Sequence, residues 1–336
     1  MINIHMPSYD ILIEAGLFDQ FETLIKDIYH GQSLFVITDE HVFSIYEKQL
    51  KTTLKNMPHH ILKTDEGEQS KSLKNYEQLI HQLIDLNIKR DDLIIAFGGG
   101  VVGDLAGFIA STLYRGIPYI QVPTTLLAMV DSSIGAKTGI NLNVGKNLLG
   151  SFYPPKRVII DPNFLETLAK DEYQNGVAEM IKAGLIGDPE LYQDLKTYDK
   201  VNTRDIERSI LVKKSFVLKD PYDKEERMFL NFGHTYGHAI ENKHDYQTYK
   251  HGVAISYGML MALKYGVKQG ITPPELYDEL LELFLKKGLV KEPLLNHKDY
   301  IPYLKLDKKN LQGGLRFIVI KGIGTPLIIT IKNEEL

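Results

Sequence analysis

For roughly its first 165 residues the chain alternates short apolar runs with amphipathic ones, and that alternation limits the fold more than any other feature. Strand-type runs occur at Ile2–Met6, Asp10–Gly16, Ser33–Thr38, His59–Thr64, Asp91–Gly100 and Tyr119–Thr125. Helical patterns over 17–28, 41–56, 73–87 and 101–116 separate most of them. Such an order predicts a parallel α/β sheet. Beyond about Asp171 the texture becomes helical, with candidates at Glu172–Leu185, Asp188–Thr197, Thr203–Lys219, Glu225–His244, His251–Gln269 and Pro274–Lys287. Two apolar runs, 316–321 and 326–332, read as a closing strand pair. The expected division falls between Pro154 and Asp171, giving an α/β domain over 1–168 and a mainly helical one over 169–336.

Composition removes several function classes. The chain has 336 residues, suited to two cores, and a net charge of −4, so no global basic field invites nucleic acid. No run of 18 apolar residues occurs, and the N-terminus lacks a basic segment followed by an apolar one. The expectation is a cytoplasmic protein with no membrane partner. Cysteine is absent, which excludes disulfides, thiol catalysis and Cys-type zinc sites.

Three stretches carry chemistry. In RMFLNFGHTYGHAIE (227–241), Arg227, Asn231, His234 and His238 fall at offsets of 0, 4, 7 and 11. On a continuous helix these lie within roughly 60° of one another at ~100° per residue. A solvated polar stripe is the plain alternative, but two imidazoles at i and i+4 beside a guanidinium and an amide point to a site. Gly233 and Gly237 each cost about 1 kcal/mol against Ala in a helix, so something should approach that backbone closely. A second stretch, Gly98–Gly103, matches G-x-G-x-x-G between a strand and a helix, a pattern that lets pyrophosphate approach helix N–H groups. The strand that follows it ends in Pro-Thr-Thr, whereas the strand ending in an acidic residue, Asp39, precedes it. The order is therefore not that of a simple dinucleotide fold. Third, Asp131–Lys137 and Gly145–Asn147 form a loop region whose Lys137 and Lys146 are candidates for phosphate. For a metal, His234 and His238 form an H-x3-H pair, with His251 and the helical Glu179 as further donors. Spacing alone leaves open whether both histidines of the pair bind.

Taken in order, DEGEQSK, IIAFGGGVVGDLAGFIASTLYRGIPYIQVPTTLLAMVDSSIGAKTGIN, GKNLLGSFYPP, GVAEMIKAGLI, NFGHTYGHAIE, HG-x-A and LDKKN make the chain resemble the 3-dehydroquinate synthase family nearly end to end. The resemblance implies a Rossmann-like NAD-binding α/β domain, a mainly α-helical metal-binding domain, an active site between them and a homodimer. It places zinc or cobalt on Glu179, His234 and His251, and so moves His238 to the substrate. NAD+ contacts map to Asp39 at the adenosine ribose, to Glu66, Gly67, Glu68, Gln69, Ser70 and Lys71, and to Gly100, Val101, Val102, Gly103 and Asp104. Further NAD+ contacts map to Thr124, Thr125, Lys137, Lys146, Phe164, Leu165, Glu166 and Thr167. Substrate-side positions are Asp131, Lys137, Asn147, Lys182, Lys213, Arg227, Asn231, His238 and Lys308, with Arg115 supplied across the dimer interface.

The implied reaction converts a phosphorylated sugar acid, 3-deoxy-D-arabino-heptulosonate 7-phosphate, to 3-dehydroquinate and phosphate in the shikimate pathway. NAD+ oxidises C5 and is regenerated, so it is a catalytic cofactor, and the metal serves as Lewis acid. Two departures from the family pattern stand out. Ala136 replaces a usual glycine, which is tolerable if its φ is negative. Val253 replaces a usual glutamate two residues after His251, removing a carboxylate beside a metal ligand. The alternatives are a cyclase for another sugar phosphate, such as 2-deoxy-scyllo-inosose synthase, a metal- and NAD-dependent polyol dehydrogenase, and a catalytically silent relative. Arg227 and Asn231 suit a carboxylate that glucose 6-phosphate lacks, which favours the first reading.

Overall fold

The computed structural model describes residues 1–221, 225–244, 248–306 and 314–331. Contacts divide the chain into two compact units, Met1–Leu168 and Ala169–Leu336. In the first, the elements run β1 (Ile2–His5), β2 (Asp10–Ile13), α1 (Phe21–Ile25), β3 (Leu34–Asp39), α2 (Glu40–Thr53), β4 (His59–Thr64) and α3 (Leu73–Asp85). They continue with β5 (Leu93–Gly98), α4 (Gly100–Thr112), β6 (Tyr119–Pro123), β7 (Lys137–Leu142), β8 (Gly145–Phe152) and β9 (Arg157–Ile160).

Seven of these strands form one sheet in the order β1-β2-β9-β6-β5-β3-β4. It is parallel apart from the edge strand β1, which pairs antiparallel with β2. The central strand β5 is buried along its whole length, which explains its unbroken apolar run. Its two faces pack differently. Ile94 and Ala96 join a core with Leu79 and Leu83 of α3 and Leu105 and Ile109 of α4. Phe97 turns to the other side, against Phe18, Tyr46 and Phe164. Buried carboxylates tie the connecting segments down: Asp92 accepts from the backbone N–H groups of Gln32, Ser33 and Lys89, and Asp161 from those of Gly16, Phe18 and Asn163.

The region read as a loop around Lys137 and Lys146 is instead a two-stranded antiparallel hairpin, β7 with β8. Alternating glycine, polar and exposed apolar residues hide it from a strand pattern. Leu142 pairs with Gly145 and Lys137 with Phe152. Lys137 and Lys146 thus stand about 13 Å apart along the hairpin at ~3.3 Å per residue. One phosphate would need both side chains stretched toward each other.

The second unit contains α5 (Lys170–Gly187), α6 (Pro189–Thr197), α7 (Thr203–Lys219), α8 (His234–Lys243), α9 (His251–Lys268), α10 (Pro274–Lys287), α11 (Ile301–Leu306) and the antiparallel pair β10 (Leu315–Gly322) and β11 (Thr325–Ile331). Among the described residues no helix is long and apolar enough to cross a membrane. Helix α5 is buried continuously from Asn175 to Ile186. Asn202 and Asp205 form a reciprocal capping box at the start of α7.

The expected helix Glu225–His244 is not continuous. Residues Glu226–Asn231 form a 3-10 turn, Gly233 adopts φ 81°, and α8 starts afresh at His234. Packing explains the break. A Cβ on Gly233 would meet Met259 Cγ at 2.5 Å, and one on Gly258 would lie 2.0 Å from the Gly233 carbonyl oxygen. The close approach that the glycines suggested is therefore made by α9, and the four-residue polar stripe is divided between a turn and a helix.

Ala136 has φ 60°, so the condition under which its methyl group would be harmless is not met. A left-handed alanine costs about 1–2 kcal/mol, partly offset because glycine loses more backbone freedom on folding. Ala136→Gly is expected to stabilise the protein by up to about 1 kcal/mol. Urea unfolding checks this: the midpoint should rise at unchanged slope, and a lower midpoint would contradict the strain.

Candidate functional site

In the first unit the order of the strands reverses between β3 and β5. From β3 the chain goes outward to β4, then crosses back to β5 on the other side. Ligand crevices in open α/β sheets form at such switch points, outside the carboxyl ends of the strands. Here β3 ends at Asp39 and β5 at Gly98, each two residues past the pair Ile37↔Ala96. The acidic strand end that stood in the wrong sequence order is thus on the strand adjoining the glycine turn. The Asp39 carboxylate accepts from Val42 N–H at 2.8 Å, capping α2. Burial raises its pKa from the ordinary aspartate value.

The glycine turn is tightly walled. A Cβ on Gly100 would meet Ser132 Oγ at 2.7 Å, and one on Gly103 would meet Gln121 Oε1 at 2.9 Å. Val101, Val102 and Asp104 follow on the first turns of α4. Thr124 N–H donates to the Gly98 carbonyl, and Thr125 Oγ1 accepts from Ala128 N–H. Asp131 lies in a π-helical turn, Ala128–Ser132, of a kind frequent at functional sites. Lys71 pairs with Asp104. Around the turn at Glu66 and Gly67, Gln69 donates to the Glu66 carbonyl, Ser70 to the Gly67 carbonyl, and Asn141 to Glu68.

Phe164 is buried in the aromatic group, and Tyr46 Oη meets its carbonyl and Thr167 Oγ1. Leu165 and Glu166 lie between them in a 3-10 turn. Arg115 sits in a tight turn with φ 66°. Asn147 also has positive φ, at 54°, and its N–H donates to Asn141 Oδ1.

In the second unit, Glu179, His234 and His251 converge, with one donor atom from each lying within 4.8 Å of the others. They come from α5, α8 and α9. Glu179 Oε1 is 3.4 Å from His234 Nε2 and 3.1 Å from His251 Nε2, and Lys182, one turn along α5, pairs with Oε2. Helices α5 and α9 are held together beside the cluster. Gly252 N–H donates to Asn175 Oδ1 at 2.8 Å, and Lys250 pairs with Asp171 and Glu172. A Cβ on Gly252 would lie 2.5 Å from Asn175 Cα, so glycine is needed for that approach.

His238 is close by but outside the converging set. Its ring lies 5.4 Å from that of His234 and 6.5 Å from that of His251. Arg227 is buried and donates to the Pro221 carbonyl, Lys213 is buried on α7, and Asn231 ends the 3-10 turn. Lys308 lies outside the described residues. Sequence reasoning passed over Glu241, whose carboxylate Oε1 is 3.4 Å from His251 Nδ1. Its spacing of seven residues from His234, on the same helical face, was the available signal.

The electrostatics suit a cation. Burial would raise the Glu179 pKa, but Lys182, His234 and His251 outweigh it and hold the carboxylate well below its ordinary range. Burial, with Lys182, pushes His234 down. Burial would also lower His251, but hydrogen bonds to Glu179 and Glu241 push it up to about 10. One carboxylate and two imidazoles form a donor set that fits a divalent ion with positions left open.

At pH 8 His251 is therefore protonated, whereas Glu179 is ionised and His234 neutral. An ion taking His251 Nε2 must displace its proton, so uptake of Zn2+ should release about one proton. Calorimetry in buffers of different ionisation enthalpy measures this. Affinity should fall as pH drops below the raised His251 pKa, by up to about tenfold per unit for one displaced proton, and binding without proton release would show that His251 is neutral at pH 8.

Both the sequence and the fold match known proteins. The model of the 3-dehydroquinate synthase N-terminal domain matches residues 61–175, and that of the C-terminal domain matches 176–310. The 3-dehydroquinate synthase of Clostridium botulinum (strain Alaska E43 / Type E3) is 40% identical over 333 residues, covering 96% of this chain and 95% of that one. The enzyme of the same name from Streptococcus thermophilus (strain CNRZ 1066) is 39% identical over 352 residues, covering 100% and 97%. Among solved structures, a 2-deoxy-scyllo-inosose synthase complexed with carbaglucose-6-phosphate, NAD+ and Co2+ is similar with a TM-score of 0.87 at 28% identity, covering 97% and 95%. An iron-containing alcohol dehydrogenase shares the fold at a TM-score of 0.64 and 13% identity, covering 94% and 96%.

Proposed function

The chain belongs to the 3-dehydroquinate synthase family, and from that footing we propose that it converts 3-deoxy-D-arabino-heptulosonate 7-phosphate to 3-dehydroquinate and phosphate, as a cytoplasmic homodimer. The observation that carries the reading within this chain is the convergence of Glu179, His234 and His251 beside the buried Lys182. Those three residues would hold the divalent ion. The glycine turn at Gly100–Asp104, with Thr124, Thr125 and the Glu66–Lys71 segment, would hold NAD+.

Bound there, NAD+ would supply reversible hydride transfer and the ion a Lewis acid. The chain's own residues supply the rest. Lys182 keeps Glu179 ionised, and its ammonium adds a donor beside the ligands. His238, one turn past His234, would move a proton at a substrate hydroxyl. Arg227 offers a buried guanidinium for bidentate grip of the substrate carboxylate, with Asn231 and Lys213 as further donors. Lys137, Asn147 and Asp131 provide polar groups of the first unit, with Arg115 arriving from the partner protomer. A carboxylate-bearing substrate gives Arg227 a purpose that glucose 6-phosphate would not.

Phosphate and NADH followed together test this reading. Heptulosonate 7-phosphate should release one equivalent of phosphate with NAD+ below stoichiometry and no net NADH. Stoichiometric NADH would show a dehydrogenase, and turnover of glucose 6-phosphate alone would show a different cyclase. Separately, Arg227→Lys and Arg227→Ala should weaken substrate binding about 10- to 100-fold, the worth of hydrogen bonds to a charged group. NAD+ affinity, read by fluorescence titration, should stay within twofold, and an equal loss of both would remove Arg227 from the substrate side.

A further inference from the structure

We infer that Glu241 is a positioning residue for the metal centre, acting through His251; this rests on the proposed metal-dependent function and deepens it. An imidazole can give a lone pair to an ion from one nitrogen only if its proton sits on the other. His251 has its Nε2 turned to Glu179, the shared ligand, at 3.1 Å, so its Nδ1 must carry the proton. Nδ1 faces Glu241 Oε1 at 3.4 Å, and Glu241 is only 5% exposed. A buried carboxylate therefore stands where the Nδ1 proton needs an acceptor, fixing both tautomer and ring angle.

His234 has the same need and meets it differently, with Nδ1 at 3.3 Å from the Phe232 carbonyl. That acceptor is neutral backbone, which no side-chain substitution removes. Only the His251 arm depends on a replaceable anion. The first turn of α9 offers no substitute, because Val253 has no polar atom. Glu241 and His234 both belong to α8, so one helix supplies a ligand directly and holds the ligand of its neighbour. The charges also favour the assignment. Glu179 and Glu241 with Lys182 leave the cluster one negative charge, and an added dication makes it one positive instead of two.

Zn2+ affinity, measured by chelator competition on the full chain across pH and corrected for the proton displaced from His251, tests the proposal. Glu241→Gln keeps the shape and loses the charge, and Glu241→Ala loses both. Losses of about tenfold for Gln and up to about 100-fold for Ala are expected, the range for partners that orient metal ligands. The visible band of the Co2+-loaded protein should shift in both, while NAD+ affinity stays as in the parent and cooperative melting shows that Glu241→Gln folds. Parent-like Zn2+ affinity in Glu241→Gln overturns the positioning role, whatever Glu241→Ala does. If the parent itself binds no divalent ion, the metal-dependent reading fails and this inference falls with it.

Discussion

A carboxylate withdrawn from water costs several kcal/mol unless cations and donors meet it where it is. Glu179 is only 3% exposed, and much of the second unit can be understood as the answer to that cost. Lys182 comes from its own helix one turn on. His234 arrives at the first residue of α8 and His251 at the first residue of α9. Two helix starts have to be brought to one oxygen. The Asn175 contact to Gly252, the Lys250 ion pairs and the glycine crossing of α8 with α9 hold them there. Without a cation the group is compensated through a protonated His251. An ion bound there would exchange that proton for a stronger charge.

The first unit faces a different constraint, since its ligand must meet backbone rather than a buried charge. A Cβ at Gly100 or Gly103 would press on the side chains of Ser132 and Gln121, which would have to shift. The glycine turn lies where parallel strands reverse their order, and Asp39 ends the neighbouring strand. The topology thereby reconciles a phosphate turn with an acidic strand end encountered in the opposite chain order. Asp39 also caps α2, so any ligand contact shares this carboxylate with a helix start.

Much of this was legible in the sequence, because strand and helix periodicities are local. The buried strand β5, the long helices and the closing strand pair could be read from apolar spacing alone. Two features could not. The hairpin β7–β8 has glycines and outward apolar residues that defeat alternation, so it read as a loop. The polar stripe assumed an unbroken helix, and the break at Gly233 is imposed by Met259 and Ile255 from a helix later in the chain. The left-handed Ala136 is likewise invisible until its backbone is seen, since alanine seldom marks such a turn. For the candidate ligands, periodicity singled out the neighbourhood, but which histidine faces which carboxylate depends on how three helices cross.

The crossing of α8 with α9 has one more consequence. At that point a carbonyl oxygen of one helix occupies the space a side chain of the other would need, so their separation is a main-chain length with no rotamer to adjust it. His234 and His251 each stand at the start of one of these two helices, so their backbone positions are tied to that crossing. A side chain at either Gly233 or Gly258 would therefore shift the helix starts that carry His234 and His251, so two residues without side chains govern where the candidate ligands stand.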